Sequence, residues 1–164
     1  DVYKRQVRSM VWRQVPERAL LWPDMVLAAE SARFTQSFSK IGLVPDAGSS
    51  WVLPRRIGMA RAMGLALTAT ALSAAEAVAC GLIWKSHADA ALLPAAEELT
   101  ATLASGPTTA FAATKMRMQH AASADFDSHL ALEASTQKSC AESDDYIEGV
   151  EAFLQKRAAK FTGS

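Results

Sequence analysis

Apolar residues recur at helical spacing through the second half of the chain, and this pattern limits the fold more than any other feature. Four of them share one face of a predicted helix: Leu92, Ala96, Leu99 and Leu103. Gly106-Pro107 marks a stop and a new start, and two more helices are predicted at about 108–122 and 126–141. Ser143 is predicted to cap a last helix. Three apolar residues share a face of that helix: Ile147, Val150 and Leu154. Half of the chain is therefore expected to be an array of amphipathic helices.

Length and composition fit a single domain or part of one. The chain has 164 residues, half of them apolar, which is enough for one core. Lys and Arg balance Asp and Glu at 17 each, so charge gives no case for nucleic acid or an anionic membrane as the main partner. No apolar run approaches the roughly 20 residues that span a bilayer, and no signal peptide is evident. The isolated Cys80 and Cys140 suit a reducing compartment, so the cytoplasm is expected.

Short segments in the first half have the length of strands and helices. Residues 25–29 are predicted to form a buried strand, and residues 33–36 a second one. From Gly48 the pattern is helical, with Pro54 expected to separate this helix from another that begins at Ile57.

Ser73 and Glu76 stand three residues apart at the start of a further helix. This spacing is a capping box, in which the two side chains satisfy backbone N–H groups reciprocally, and Gly81 is expected to close the helix. Residues 82–84 are then predicted to form a brief strand. The unit is structural, so Glu76 is assigned no catalytic role.

The segment 42–50, with sequence GLVPDAGSS, places one carboxylate at the apex of a turn. Gly and Pro set the backbone angles, while the small residues leave room for a ligand beside Asp46. A carboxylate held in this way can move protons. Aspartates are also common as plain turn or capping residues, so the residues alone leave both roles open.

Longer segments resemble the crotonase (enoyl-CoA hydratase/isomerase) superfamily: residues 31–58, 66–82 and 149–163. Within it, the sequence is most similar to the ring-epoxide isomerases of phenylacetyl-CoA breakdown. The resemblance implies an α/β fold of which this chain is the C-terminal, mostly helical part. Residues 24–88 would belong to the crotonase core and residues 89–164 to a helical oligomerisation region. A homotrimer or a dimer of trimers is the assembly that the resemblance implies for the full-length protein.

Residues 1–23 do not share the resemblance. They contain five Lys or Arg, two Trp and no Gly, where the family has a Gly/Ala-rich segment. We expect a non-homologous leader that is joined to a genuine C-terminal half. It would be produced by a shifted reading frame or by an artefact in the assembly of the DNA sequence. A divergent basic arm is the alternative, and translation of the DNA in its other frames distinguishes the two.

The resemblance implies chemistry on an acyl-CoA thioester. In the family, two backbone N–H groups stabilise charge on the thioester oxygen, and a carboxylate adds or removes a proton nearby. One catalytic glutamate of the hydratases comes from a Gln-Pro-Glu segment, and here Phe38 takes that glutamate's place. Asp46 occupies the turn position used by the isomerases, so we expect it to be the single acid/base of a ring-epoxide or enoyl-CoA isomerisation. Both oxyanion donors lie upstream of residue 25 in the family, and this chain alone is expected to be inactive.

Five further residues are predicted to bind the substrate: Phe38, Trp51, Val52, Phe153 and Lys156. Phe38, Trp51 and Val52 would line an acyl pocket, although a tryptophan such as Trp51 is more often simply a core residue. The resemblance implies that Phe153 and Lys156 lie near the adenine and phosphates of CoA. The alternative places Phe153 in a helix core and leaves Lys156 solvated at a helix C-terminus. CoA belongs to the substrate, so no separate cofactor is expected.

A metal site and a catalytic triad are less favoured. His87, His120 and His129 lack metal-ligand spacing, so no metal site is expected. Asp125, Ser128 and His129 are close in sequence, but such clusters usually cap helices.

The alternative functions are an enoyl-CoA hydratase, an aryl-CoA dehalogenase-like enzyme that uses the turn aspartate as nucleophile, and a non-catalytic helical oligomerisation module.

Overall fold

The computed structural model describes residues 24–164, and the prediction of a leader over residues 1–23 lies outside that range. The chain divides into two compact units, with the boundary between Glu98 and Leu99. Residues 24–164 contain four short strands: β1 (Leu27–Ala29), β2 (Arg33–Phe34), β3 (Leu72–Ser73) and β4 (Lys85–His87). A 3₁₀ helix at Ser37–Ile41 and seven α-helices make up the remaining regular structure of the described part of the chain: α1 (Ser49–Ile57), α2 (Met59–Thr68), α3 (Ala74–Ala79), α4 (Leu92–Ala104), α5 (Thr108–Ala121), α6 (Phe126–Ala141) and α7 (Asp144–Leu154).

The strands of the first unit form two pairs. β1 and β4 are parallel, with Leu27 opposite Lys85, and β2 and β3 are antiparallel, with Arg33 opposite Ser73. Their apolar side chains contribute to a core with α1, α2 and α3 that contains Val26, Ala28, Ala32, Phe34, Leu53, Ile57, Ala62, Leu65, Ala74, Ala77, Leu82 and Ile83. This core anchors the segments that lead into and out of the Asp46 turn.

The predicted strand at residues 82–84 is wrong, because the strand lies at Lys85–His87. The N–H groups of Leu82 and Ile83 both donate to the carbonyl of Ala77, at 2.9 and 3.3 Å, and not to a neighbouring strand. Gly81, with φ 78°, makes this Schellman-type ending of α3 possible. The helix cap therefore uses the backbone that the prediction assigned to a strand.

The predicted break at Pro54 is also wrong. α1 continues through Pro54 to Ile57, and the chain turns at Gly58, where φ is 81° and ψ is 154°. A proline inside a helix removes one N–H donor. Here burial of Leu53 and Ile57, which are 6% and 4% exposed, holds α1 together across that missing bond.

The capping box is confirmed at the start of α3. The Ser73 hydroxyl accepts a hydrogen bond from the N–H of Glu76 at 3.3 Å, and the Glu76 carboxylate accepts one from the N–H of Ser73 at 2.8 Å. The hydrogen bonds from Ser73 lower the pKa of Glu76. These contacts account for the Glu76 side chain, in agreement with its assignment as structural.

The helices of the second unit follow the sequence pattern closely. The observed bounds of α5 and α6 differ from the predicted ones by at most one residue, and the Ser143 hydroxyl caps α7 by accepting from the N–H of Tyr146 at 3.1 Å. The predicted apolar face of α7 is exposed in this chain: Ile147 by 55%, Val150 by 40% and Leu154 by 73%. No helix among residues 24–164 has the length and apolar character needed to cross a membrane.

Candidate active site

The turn that carries Asp46 connects the 3₁₀ helix to α1. The N–H of Ser49 donates to the carbonyl of Asp46 at 2.9 Å, and the residues between them, Ala47 and Gly48, have φ values of 50° and 84°. Two successive positive φ values are those of a type I′ turn. Glycine adopts this conformation without cost, whereas the Cβ of Ala47 is crowded in it. The backbone at Asp46 is therefore fixed in a strained turn.

The surroundings of Asp46 combine a carboxylate with apolar side chains. Asp46 is exposed, and the loop before it exposes Ile41 by 72%, Leu43 by 59% and Val44 by 79%. The Asp46 carboxylate is the only one between residues 31 and 58. Sequence reasoning did not assign a role to the three apolar residues, although apolar residues in a turn, outside helical spacing, are a signal that could have found them. The segment can present one acid to an apolar group.

The three residues predicted to line an acyl pocket lie on the same stretch of chain as Asp46. Phe38 is half-buried in the 3₁₀ helix, and its carbonyl accepts from the N–H of Leu43 at 3.0 Å, which closes the loop before Asp46. Val52 is half-buried in α1. Trp51 is 57% exposed, so it is not a core side chain. The guanidinium of Arg55 lies 3.5 Å from the centre of the Trp51 ring, which is a cation–π contact.

Phe153 and Lys156 belong to the second unit, at the end of α7. Phe153 is 82% exposed and is therefore not part of a helix core. The N–H of Lys156 donates to the carbonyl of Phe153 at 3.2 Å, and the N–H of Arg157 donates to that of Ala152 at 3.0 Å. Lys156 has a φ of 53°, the left-handed conformation that glycine usually takes in this type of helix ending. Both side chains lie on the surface, where a ligand can reach them.

A clamp of two acidic side chains on α7 holds the C-terminal residues. The carboxylate of Asp145, which is 5% exposed, accepts from the N–H groups of Thr162 and Gly163 at 2.7 and 2.9 Å. The Glu148 carboxylate accepts two hydrogen bonds from Arg157, at 2.6 and 2.8 Å. It also accepts from the N–H of Lys160 at 2.7 Å. Sequence reasoning missed this clamp, which joins residues 9 to 18 positions apart.

The clamp predicts a specific response to acid. Hydrogen bonds from Arg157 and Lys160 lower the pKa of Glu148 from its ordinary value of 4.5 to about 2. A carboxyl whose pKa is lower in the folded state stabilises that state above its ordinary pKa and loses this contribution as the pH falls through the folded value. We therefore expect the contacts of Glu148 with Arg157 and Lys160 to weaken between pH values of about 4.5 and about 2.

Amide chemical shifts of residues 157–164, followed by NMR during acid titration, would measure this weakening. In Glu148→Gln the acid-dependent part of the change should be absent. Identical titration curves for the parent and for Glu148→Gln would contradict the assignment of this acid response to Glu148.

The histidines and the Asp125 cluster form other contacts. Asp125 caps α6 by accepting from the N–H of Ser128 at 2.9 Å, a contact that lowers its pKa. His129 instead contacts Glu133 through Nε2 at 3.2 Å and His120 through Nδ1 at 3.2 Å. Asp125, Ser128 and His129 are therefore not arranged as a catalytic triad. Within residues 24–164, no group of three His, Cys, Asp or Glu residues is placed to hold a metal ion.

A groove of about 1070 Å³ lies between α5, α6 and α7. Its lining combines apolar residues, among them Val150, Phe153 and Leu154, with the polar Arg117. The Arg117 guanidinium donates to the hydroxyl of Thr136 at 3.0 Å. Phe153 therefore borders a concave surface, and its contact with CoA stays a prediction.

Comparison with known proteins identifies a family. The family model for enoyl-CoA hydratase/isomerase matches residues 19–164. A Rhodobacter capsulatus protein named probable enoyl-CoA hydratase is 49% identical over 140 residues, which are 85% of this chain and 54% of that protein. The 1,2-epoxyphenylacetyl-CoA isomerase of Escherichia coli is 46% identical over 140 residues, which are 85% of this chain and 53% of that protein. The crystal structure of an enoyl-CoA hydratase from a Polaromonas species is similar with a TM-score of 0.84 and 30% identity, covering 89% of this chain and 57% of that chain.

These comparisons confirm the predicted resemblance to the crotonase superfamily, and within it to the ring-epoxide isomerases. They also confirm the predicted fold class, α/β and mostly helical in the part of the chain that the structure describes. The chain spans about half the length of the curated relatives it matches.

Proposed function

The chain belongs to the enoyl-CoA hydratase/isomerase family, and we propose that the whole protein is an acyl-CoA isomerase in which Asp46 is the acid/base. The whole protein here means a chain of the length of the curated relatives, of which this chain spans about half. The observation that carries the proposal is the single carboxylate, mounted on a strained turn between apolar residues. Adding water across a double bond in this family uses two carboxylates, and Phe38 stands where the second would be.

The proposed reaction relocates a proton. As a carboxylate, Asp46 removes a proton from a carbon of the acyl chain, and the electron pair of that C–H bond moves toward the thioester carbonyl. The same carboxyl group returns the proton at another carbon, so that the double bond shifts and the atoms of the substrate are conserved. With a ring epoxide, the protonated acid would assist opening of the strained C–O bond. The steps are redox-neutral, and CoA is part of the substrate.

Product mass tests this proposal. The whole protein, incubated with an enoyl-CoA or a ring-epoxide acyl-CoA, should give a product of unchanged mass in ordinary water. In heavy water the enoyl-CoA product should carry deuterium to the extent that the proton held by the exposed Asp46 carboxyl exchanges with solvent before it is returned. A product heavier by one water molecule would instead support a hydratase, the function named for the Rhodobacter capsulatus relative. An ester trapped on Asp46 after incubation with a halogenated aryl-CoA would support the nucleophile alternative.

The proposal also covers the assembly, the cellular location and the metabolic role of the protein. The exposed apolar face of α7 supports assembly as a homotrimer or a dimer of trimers. Cys80 and Cys140 are both free thiols, which supports a cytoplasmic location. The similarity to an isomerase of epoxyphenylacetyl-CoA supports a role in phenylacetate or fatty-acid breakdown. Assembly without affinity for CoA would favour the non-catalytic module.

A substitution at Lys156 can test the proposed contact with a CoA phosphate separately from the structural role of this residue in the helix ending. Because its φ is 53°, Lys156→Gly should relieve backbone strain and raise the unfolding free energy by up to about 1 kcal/mol. The same change removes the ammonium and should weaken CoA binding. Isothermal titration with CoA and a urea denaturation curve measure the two effects, with Lys138→Gly as a control that removes an exposed helical lysine. CoA affinity equal to that of the parent protein would place Lys156 outside the CoA site.

A further inference from the structure

Ser49 is buried close in sequence to the proposed acid, and its hydroxyl donates back along the chain to the turn. It is 1% exposed, whereas its neighbour Ser50 lies on the surface. The Ser49 hydroxyl donates to the carbonyl of Asp46 at 2.6 Å, and the Ser49 N–H donates to the same carbonyl at 2.9 Å. Two donors from one residue therefore converge on the backbone of Asp46.

This arrangement is not an ordinary helix cap. A capping serine stands before the first helical residue, and its hydroxyl accepts a hydrogen bond from an N–H in the first turn. Here Gly48 is the N-cap residue and makes no side-chain cap, while Ser49 is the first residue of α1. Its hydroxyl donates backwards, out of the helix and onto the turn. The contact therefore stabilises the turn more directly than it stabilises α1.

The turn needs such a contact because of Ala47. A φ of 50° brings the Cβ of an L-residue close to its own backbone, and alanine has no side-chain group that offsets this crowding. If the Asp46 carbonyl were released, Ala47 could relax to a negative φ. That relaxation would rotate the peptide groups on either side and displace the Asp46 side chain. The buried hydroxyl opposes it.

We propose that Ser49 is a positioning residue, which locks the strained turn and so fixes the direction in which Asp46 presents its carboxylate. The inference rests on the proposed function, in which Asp46 moves the proton. Ser49 is suited to this role because it begins the helix whose Leu53 and Ile57 are held in the core of the first unit. The position of the acid is thereby tied to the core through one helical segment.

The first test measures the turn itself. Ser49→Ala removes the hydroxyl with little change in volume, and Ser50→Ala is the matched control on the adjacent exposed serine. A residue with positive φ gives a strong NOE between its own amide and α protons. In Ser49→Ala this NOE at Ala47 should weaken, while Ser50→Ala should retain it. An unchanged NOE in Ser49→Ala overturns the inference, whether or not the protein is active.

The second test measures action through Asp46 in the whole protein. Ser49→Ala should lower kcat by roughly 10- to 100-fold with little change in KM, since misplacement of a catalytic group costs turnover. In an Asp46→Asn background the same substitution should have no further effect on the residual rate. An equal loss in both backgrounds would show a general structural role and overturn the inference. Full turnover by Asp46→Asn alone would overturn the proposed function instead, and the NOE would still decide whether Ser49 locks the turn.

Discussion

Asp46→Asn is expected to lower kcat of the whole protein by about 10²- to 10⁴-fold, the usual contribution of a positioned general acid or base. The substitution keeps the size and shape of the side chain but removes the group that exchanges a proton. KM for the acyl-CoA should change little, because the loss falls on the chemical step and not on binding. Initial rates with an enoyl-CoA and with a ring-epoxide acyl-CoA measure the effect.

The control for this experiment is Asp127→Asn, which neutralises an exposed carboxylate in the first turn of α6. It should retain the parent's kcat. Thermal unfolding of Asp46→Asn should be measured beside that of the parent, so that a loss of kcat is not mistaken for a loss of the folded state. A kcat for Asp46→Asn within a factor of two of the parent's would exclude Asp46 as the acid/base.

The sequence was most informative where structure is local. The helical pattern predicted the existence of α4 and α7 and the bounds of α5 and α6 to within one residue, and the Ser73–Glu76 spacing predicted a capping box that the structure contains. The strand at Lys85–His87 was not predicted because its sequence is polar and its pairing with β1 joins residues far apart in the chain. Pro54 was overestimated as a helix breaker, since tertiary burial of its neighbours outweighed one lost hydrogen bond.

The candidate site could be located from sequence but not described from it. Gly and Pro indicated a turn at Asp46, and the resemblance indicated a role for its carboxylate. The left-handed conformation falls on Ala47, a residue that rarely adopts it, so composition alone does not reveal the strain. The direction of the Ser49 hydrogen bond depends on burial, which is a property of the folded chain. These are the features that would decide how well the acid is placed.

The clamp at the C-terminus gives the largest expected effect on stability. Asp145→Ala should lower the unfolding free energy of the chain by about 2–4 kcal/mol, because hydrogen bonds to a charged partner contribute about 1.5–3 kcal/mol each and two partly buried donors lose their acceptor. The donors concerned are the N–H groups of Thr162 and Gly163.

Urea denaturation measures the loss, and hydrogen exchange at Thr162 and Gly163 locates it. Asp144→Ala is the matched control, because Asp144 is the exposed neighbour in the same helical turn and its loss should cost less than about 1 kcal/mol. Equal destabilisation by the two variants, or unchanged protection of the two amides in Asp145→Ala, would show that the buried carboxylate does not hold the tail. Lys156 directly precedes the clamped segment, so the proposed CoA contact should weaken in Asp145→Ala together with the amide protection. A protein that lost this protection yet bound CoA with the parent's affinity would separate the clamp from ligand binding and confine it to stability.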